Sequence, residues 1–452
     1  MKKILILLAL VNSAWASNAE SLVGTWVGVA ALVVFVIGYY FIAAEEHYHI
    51  NKAKPALFIG TFIFILIGFY YLMNGLDTKP LQNEIEHLVL EIAGILFFLL
   101  VAMTYIEALI ERRVFDTLKY NLISKGYSYK KLFWLTGIIG FFLSPIADNL
   151  TTALILSTVL ITIERKNTKF LIPAAVNVVV AANAGGAWSP FGDITTLMAW
   201  TAGKGSFVDF LFLFPASIVG WVITALLLSR FVPNDKPVFD AKNEPKVTIL
   251  KGGKIIIGLG IFTIFCAIMS HQLFHLPAMW GMMFGFSLLQ IYSYIHKKKH
   301  NEDIEVFKSL SKIENDTLLF FFGILAAVGS LHFIGYLALA ANLYDIAGAT
   351  TVNIGVGFLS AIVDNIPVMS AVLKTNPDMG LDQWMLVTLA AGIGGSMISF
   401  GSAAGVGVMG KLRGIYTFTA HIKYAWTIII GYFASMGVWY VQYEILGFYL
   451  KG

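Results

Sequence analysis

Cysteine is nearly absent from this chain, which has Cys266 alone among its 452 residues. A lone cysteine forms no intrachain disulfide, and it does not make a soft-metal site by itself. Charged residues are also scarce, at 13% of the sequence, which is about half their share in an average soluble domain. The sequence contains no P-loop motif for holding nucleotide phosphates. We therefore expect no cofactor, no transition metal and no ATP hydrolysis by this chain.

Hydrophobic residues, in contrast, supply 58% of the sequence. Apolar stretches long enough to cross about 30 Å of hydrocarbon recur from one end of the chain to the other. The sequence predicts an all-α, polytopic membrane protein in contact with the lipid bilayer. The net charge of +4 does not indicate a nucleic-acid partner, because the positive charges follow the membrane topology.

The N-terminal stretch has the pattern of a secretory signal. Lys2 and Lys3 precede an apolar run, which ends at the small-residue site Ala14-Trp15-Ala16. Residues 1–16 are therefore predicted to be a signal peptide, and an uncleaved first helix is the alternative. In both cases the chain from Ser17 onward begins outside the cytoplasm.

The distribution of Lys and Arg predicts the orientation of the spans. The segments assigned to the cytoplasm carry 25 of these residues, whereas the segments assigned to the outside carry 4. Positive residues are concentrated on the cytoplasmic side of membrane proteins, so this imbalance supports one orientation.

That orientation requires two stretches to enter the membrane and return to the same side. Residues 131–164 begin and end among cytoplasmic charges, and as a helix they would measure about 50 Å, too long for one crossing and too short for two. Residues 348–374 likewise begin and end on the same side of the membrane, in this case the outside. We predict two re-entrant helical hairpins with tips at 145–149 and 364–367. One long tilted helix in each place is the alternative, which the charge count disfavours.

The two halves of the chain contain the same motifs in the same order. Residues 144–149 match 360–365 at an offset of 216, and the Gly-Gly segment 185–193 matches 394–402 at an offset of 209. With opposite orientations, such copies form the inverted repeat of secondary transporters; chance similarity of Gly-rich segments is the alternative. The predicted division is a signal peptide 1–16, N-terminal helices 17–86, a first repeat 87–232, loops and linking helices 233–314, and a second repeat 315–448.

Each repeat should also contain one discontinuous helix. In the segment 181–196, two glycines weaken the helix and Pro190 lacks an amide hydrogen; the segment 392–407 is similarly rich in glycine. Unwound backbone at membrane depth persists where it lines a polar cavity, and it can coordinate cations there. The two tips and two breaks are therefore expected to meet. Their side-chain oxygen donors belong to Asp148, Asn149, Asn183, Ser189, Asp193, Thr195, Thr196, Ser360, Asp364, Asn365, Ser396, Ser399 and Ser402.

Oxygen ligands without Cys or His suit an alkali cation or a proton. A buried carboxylate is costly when charged, so it can hold either a proton or Na⁺, and that competition suffices for exchange. Helix capping is the structural alternative for Asp148 and Asp364. Two further classes stay open: efflux of a metalloid such as arsenite, and an intramembrane aspartyl protease. A carrier of organic anions would instead need uncharged side chains at the two hairpin tips, because aspartates there would repel a carboxylate.

Two outer residues are secondary candidates. Glu91 is expected about one turn inside its helix from the outer end, where it would act as a relay carboxylate or as an interface anchor. His87 could sense external pH, and a plain interfacial histidine is the alternative.

The stretches "SPIADNLTTALI", "NAGGAWSPFGDITTLMAW" and "SAIVDNIPVMSAVL" resemble the NhaD-type Na⁺/H⁺ antiporters of the ion transporter superfamily. The resemblance implies exchange of Na⁺, and often Li⁺, for H⁺ across a bacterial inner membrane, and it implies a homodimer with scaffold and elevator parts. Arsenite permeases and dicarboxylate carriers look like more distant relatives. The functional positions it implies are Asp148, Asn149, Asn183, Asp193, Thr195, Thr196, Ser360, Asp364, Asn365, Ser399 and Ser402, with Glu91 as a further match.

Overall fold

The computed structural model describes residues 21–48, 50–237, 246–302 and 304–447, and within these ranges the secondary structure is helical, without β-strands. The predicted signal peptide lies outside the described residues. Eight helices of the described part are long and apolar enough to span a bilayer, which agrees with a polytopic membrane protein. They are Trp26–Ala43, Ala53–Met73, Lys79–Glu111, Tyr129–Ala147, Thr168–Gly186, Phe207–Phe231 (two helices and a 3₁₀ turn), Gly253–Gln272 and Asn315–Ile334.

The α-helices of the first half, in chain order, are α1 Trp26–Ala43, α2 Glu45–Tyr48, α3 Ala53–Met73, α4 Lys79–Glu111, α5 Val114–Ile123, α6 Tyr129–Ala147, α7 Asn149–Ile163, α8 Thr168–Gly186, α9 Ile194–Thr201, α10 Phe207–Leu211 and α11 Phe214–Leu228. Those of the second half are α12 Gly253–Gln272, α13 Ala278–His300, α14 Val306–Ser311, α15 Asn315–Ile334, α16 Tyr336–Ala347, α17 Ala349–Val363, α18 Asn365–Thr375, α19 Leu381–Gly394, α20 Ala403–Lys411, α21 Phe418–Ile422 and α22 Ala425–Tyr440.

The chain divides into two compact units. The first unit comprises residues up to Leu100 together with Glu314–Val352 and Ser370–Asp378. Its centre is the contact of α3 with α15, where Gly323 lies against the backbone of Ala56. The absence of a side chain at this glycine permits the two helices to approach closely.

The second unit comprises Val101–Ile313, Asn353–Met369 and the chain from Met379 onward. Asn177 on α8 connects three of its helices. The Asn177 amide nitrogen donates to the Phe133 carbonyl on α6 at 2.9 Å, and its oxygen accepts from the Trp221 indole on α11 at 3.0 Å. The Trp221 ring stacks on Phe141 at 5.2 Å between centroids. These buried contacts fix the helices that carry the predicted site.

Helices break at both predicted tips. Asp148 separates α6 from α7 with a φ of 56°, and Asp364 separates α17 from α18 with a φ of 83°. Non-glycine residues adopt such positive φ angles rarely, so both turns are strained. The alternative of one continuous helix in each place is therefore wrong. With 15 residues each, α7 and α17 are about 22 Å long, shorter than the ~30 Å hydrocarbon core.

The predicted breaks near the Gly-Gly pairs are also present, and both lie within the predicted segments 181–196 and 392–407. Both glycines of the first pair belong to α8, which ends at Gly186, and the interruption extends from Ala187 to Asp193. In the second half α19 ends at Gly394 and α20 begins at Ala403. Glycine weakens a helix, but here its small size permits close packing against a neighbouring helix, and the helix continues through these glycines.

That packing is the same in both halves. Gly185 lies against the backbone of Phe141, and Gly394 lies against the backbone of Gly357. A Cβ atom at either glycine would overlap with main-chain atoms that have no room to move. The four positions are related by the offsets of 209 and 216 residues found in the sequence.

A pair of serine hydrogen bonds repeats in the same way. The Ser144 hydroxyl on α6 donates to the Ala182 carbonyl on α8 at 2.6 Å. The Ser360 hydroxyl on α17 donates to the Ala391 carbonyl on α19 at 2.7 Å. In each half the bond joins the helix before a tip to the helix before a break.

Candidate functional site

The Asp193 carboxylate is the centre of a buried polar network in the second unit. Asp193 caps the N-terminus of α9, where its Oδ1 accepts from the Thr195 backbone amide at 3.0 Å. Its Oδ2 accepts from the Asn149 side-chain amide at 3.0 Å and from that of Asn365 at 3.2 Å. Only 3% of Asp193 is exposed. A single carboxylate therefore connects one break with both tips.

Asn183 extends this network to the second break. Its side-chain oxygen accepts from the Asn149 amide at 3.1 Å. Its own amide nitrogen donates to the hydroxyls of Ser396 at 2.9 Å and Ser402 at 2.8 Å. All four residues are buried. Predicted site residues from all four interruptions thus meet in one cluster.

Several oxygen atoms around this cluster are buried and have no hydrogen-bond partner within the described residues. They include the side-chain oxygen of Asn365 and the hydroxyl oxygen of Ser399. Unpartnered buried acceptors are costly, and an alkali cation satisfies such oxygens as readily as a donor does. The donor set therefore fits a hard cation as the bound species.

The two tip aspartates have different surroundings. Asp148 is half-buried and caps α7, since its two carboxylate oxygens accept from the backbone amide and hydroxyl of Thr151, both at 2.8 Å. These bonds to Thr151 are those of a helix cap, which is the structural alternative considered for Asp148. Asp364 is buried, and it lies close enough to Asp193 for the two carboxylates to repel each other.

Two other predicted residues bind backbone carbonyls close to the breaks. Ser189 donates to the Pro145 carbonyl at 3.0 Å, and Thr196 approaches the Gly186 carbonyl at 3.5 Å. These contacts, like that of Ser360, hold the unwound segments against their helices. They support the network without being hydrogen-bonded to Asp193.

The secondary candidates Glu91 and His87 lie on α4 in the first unit. Because α4 begins at Lys79, Glu91 is roughly three turns inside the helix, deeper than the single turn expected from the sequence. Its carboxylate pairs with the Lys374 ammonium at 2.6 Å. His87 is exposed. No sequence pattern indicated Lys374 as the partner of Glu91, because the two residues are 283 positions apart.

Sequence reasoning missed one buried residue that holds the second break. His421 lies in a stretch assigned to the cytoplasm, yet it is fully buried. Its Nε2 is 2.9 Å from the Ser396 carbonyl oxygen, and its Nδ1 is 2.5 Å from the Tyr416 hydroxyl. The only sequence signal was a histidine among weakly polar residues, which is not specific.

Comparisons with known proteins identify relatives of this chain. A family model described as "Citrate transporter" (CitMHS) matches residues 84–394. The Na⁺/H⁺ antiporter NhaD of Vibrio cholerae is 44% identical over 436 residues, which cover 91% of each chain. NhaD of Alkalimonas amylolytica is 44% identical over 443 residues, 92% of this chain and 91% of that protein. Sodium/proton antiporter 1 of Arabidopsis thaliana is 31% identical over 416 residues, 89% of this chain and 69% of that protein.

The apolar helices and these matches define the chain as a helical membrane transport protein. More specifically, it belongs to the family of NhaD-type Na⁺/H⁺ antiporters.

Proposed function

We propose that this protein is a secondary antiporter, which exchanges Na⁺ and also Li⁺ for H⁺ across the bacterial inner membrane. The observation that carries the proposal is the Asp193 carboxylate, buried and bonded to the asparagines of both helix tips. The relatives named as Na⁺/H⁺ antiporters cover about nine tenths of the chain, which supports the same assignment.

Exchange follows from competition at one carboxylate. A buried carboxylate in a weakly polar site is stable when neutralised, either by a proton or by a cation. When Na⁺ binds to the oxygens around Asp193, the proton leaves, and when a proton returns, the attraction for Na⁺ is lost. The asparagine amides hold the carboxylate in place in both states. If the site opens to one side of the membrane at a time, each cation released is replaced by protons.

The proposed architecture is an inverted repeat with two re-entrant hairpins, α6–α7 and α17–α18. Three observations support it: both tips are strained at an aspartate, α7 and α17 are short, and the serine and glycine contacts recur at matching offsets. Alternating access would then consist of a movement that exposes the shared tips first to one side and then to the other.

Citrate transport and metalloid efflux are less consistent with this site. Two carboxylates, Asp193 and Asp364, lie close together, and they would repel a tricarboxylate unless cations intervened. Arsenite would need no carboxylate that exchanges its proton. Neither alternative explains why a buried carboxylate is held between the side-chain amides of both tips.

The test is proton movement in everted membrane vesicles, followed with a pH-gradient dye as NaCl, LiCl or KCl is added. Dequenching by Na⁺ and Li⁺ is expected for the wild type and should be lost in Asp193→Asn, which keeps the shape but cannot ionise. Asp116→Asn, on an exposed face of α5, is the matched control and should behave as the wild type. The proposal would be wrong if the wild-type protein were present in the membrane and responded to no alkali cation.

A further inference from the structure

One of the positions at which the two breaks differ faces the network. Asn183 lies two residues before Gly185, and Gly392 lies two residues before Gly394, so the two are equivalent in the repeated pattern. Asn183 reaches across to Ser402, the residue that caps α20. Gly392 has no side chain to make the corresponding contact.

The residue opposite Gly392 is the Asp193 carboxylate, which caps α9. A Cβ atom at Gly392 would be 3.7 Å from the Asp193 Oδ2 and 3.2 Å from the Ala187 Cβ. The room beside the carboxylate is therefore left by the missing side chain. The equivalent room beside Ser402 is filled by the amide of Asn183.

A second observation indicates what uses this room. Asn365 donates its amide nitrogen to Asp193, whereas its side-chain oxygen is buried and has no hydrogen-bond partner within the described residues. A cation against Asp193 would be the natural partner for such an oxygen.

We infer that Gly392 is a specificity-determining residue, because its missing side chain leaves room for a single alkali cation against Asp193. The inference rests on the proposed exchange of Na⁺ for H⁺, and it adds that the repeated breaks form an asymmetric site. The side with Asn183 and Ser402 is closed by an amide. The side with Gly392 and Asp193 holds the ion.

The test is a single added methyl group, in Gly392→Ala. Alanine favours helix more than glycine does, so loss of helicity is not expected. The methyl would reduce the room beside Asp193 and hinder Na⁺ more than the smaller Li⁺. The readouts are the apparent KM for Na⁺ and for Li⁺ in everted vesicles at one fixed pH, and the shift in Tm of the purified protein on adding NaCl or LiCl.

We expect the Na⁺ KM to rise about tenfold or more, which corresponds to about 1.4 kcal/mol of lost binding free energy. The Li⁺ KM should rise less, and the NaCl-induced Tm shift should shrink. Gly258→Ala on α12 is the matched control, because nothing lies within 4 Å of a Cβ there. It should leave both KM values unchanged.

A second variant separates ion binding from packing. Gly392→Ala combined with Ala187→Gly removes the 3.2 Å contact but keeps the methyl beside Asp193. The double variant should retain the raised Na⁺ KM. If the single variant does not reach the membrane, the Na⁺ KM of the double variant tests the inference. Wild-type Na⁺ affinity in either variant overturns the inference alone, whereas a wild type without any response to Na⁺ or Li⁺ overturns the proposed function beneath it.

Discussion

At the scale of single residues, the network is centred where the two halves of the chain differ. The tip residues Asn149 and Asn365 are equivalent, and both donate to the same carboxylate. That carboxylate, Asp193, corresponds to a serine in the second half, Ser402. A repeated framework thus supplies matching donors, and a single substitution between the repeats supplies the charge that they surround.

Asn183 is predicted to act through the arrangement of this network. In Asn183→Ala, the hydroxyls of Ser396 and Ser402 and the amide of Asn149 lose a partner, and each buried group left unsatisfied costs about 1–3 kcal/mol. We expect a lower Tm and a raised KM for Na⁺ in vesicles. Asn177→Ala on the same helix removes an equally buried amide outside the network. It should lower the Tm while leaving the Na⁺ KM of the folded protein unchanged, and an equal rise in both variants would contradict a specific role for Asn183.

At the scale of helices, composition and proline positions predicted the interruptions well, whereas their boundaries depend on tertiary contacts. Pro190 predicted a break, which is present. The glycines at 185 and 186 were expected to weaken the helix, yet the helix continues to Gly186, and Gly185 packs closely against the Phe141 backbone. Local propensity cannot reveal a neighbour that is distant in sequence. For the same reason the sequence left open whether Asp148 caps a helix.

The close approach at Gly185 makes a prediction about stability. In Gly185→Ala the new methyl would overlap with the Phe141 backbone, and overpacking of this kind costs about 1–3 kcal/mol. We expect a lower Tm of the purified protein and less protein in the membrane. Gly258→Ala adds the same atom to open space, where alanine is favourable for the helix. Equal Tm values for the two variants would show that the helices can separate at Gly185 without cost.

The contact between the start of α6 and the end of α7 leads to a prediction about pH. The Tyr129 hydroxyl donates to Glu164 at 2.6 Å, and this bond, with the backbone amides of Lys166 and Arg165, lowers the pKa of Glu164 below its ordinary value of 4.5. A lowered pKa in the folded state adds stability above the ordinary pKa, and that stability is lost as the pH falls through the folded value.

Tyr129→Phe should therefore destabilise the protein by about 1 kcal/mol near neutral pH, the usual net value of one hydrogen bond. The difference from the wild type should shrink as the pH is lowered below about 4.5, where Glu164 becomes protonated in both proteins. Thermal unfolding measured between neutral and acidic pH checks both statements. Tyr127→Phe, whose ring contact with Lys131 is retained by phenylalanine, is the control. A Tyr129→Phe difference that stays constant with pH would argue against the role of Glu164.

At the scale of the whole molecule, the sequence predicted which segments meet but not their bonding. The Gly-rich breaks and Asp-Asn tips were recognisable as motifs, and the structure brings Asn149, Asn183, Asp193, Asn365, Ser396 and Ser402 into one network. Its hydrogen bonds join residues up to 219 positions apart, and no local pattern specifies such pairs. His421 illustrates the same limit, since only the folded chain brings it to the Ser396 carbonyl.

The membrane topology makes the last prediction, and the scarcity of cysteine makes it testable. Cys266→Ser removes the single native thiol, after which one cysteine at a time can be introduced at exposed positions and labelled with an impermeant maleimide. If α6–α7 is re-entrant from the cytoplasm, both Asn121→Cys and Thr168→Cys should react only in everted vesicles. If α17–α18 is re-entrant from the outside, both Ala347→Cys and Asp378→Cys should react only in right-side-out vesicles. These four positions are exposed and flank the two helix pairs. Opposite sidedness for the two ends of either pair would mean that the pair crosses the membrane, and the inverted-repeat architecture would then have to be abandoned.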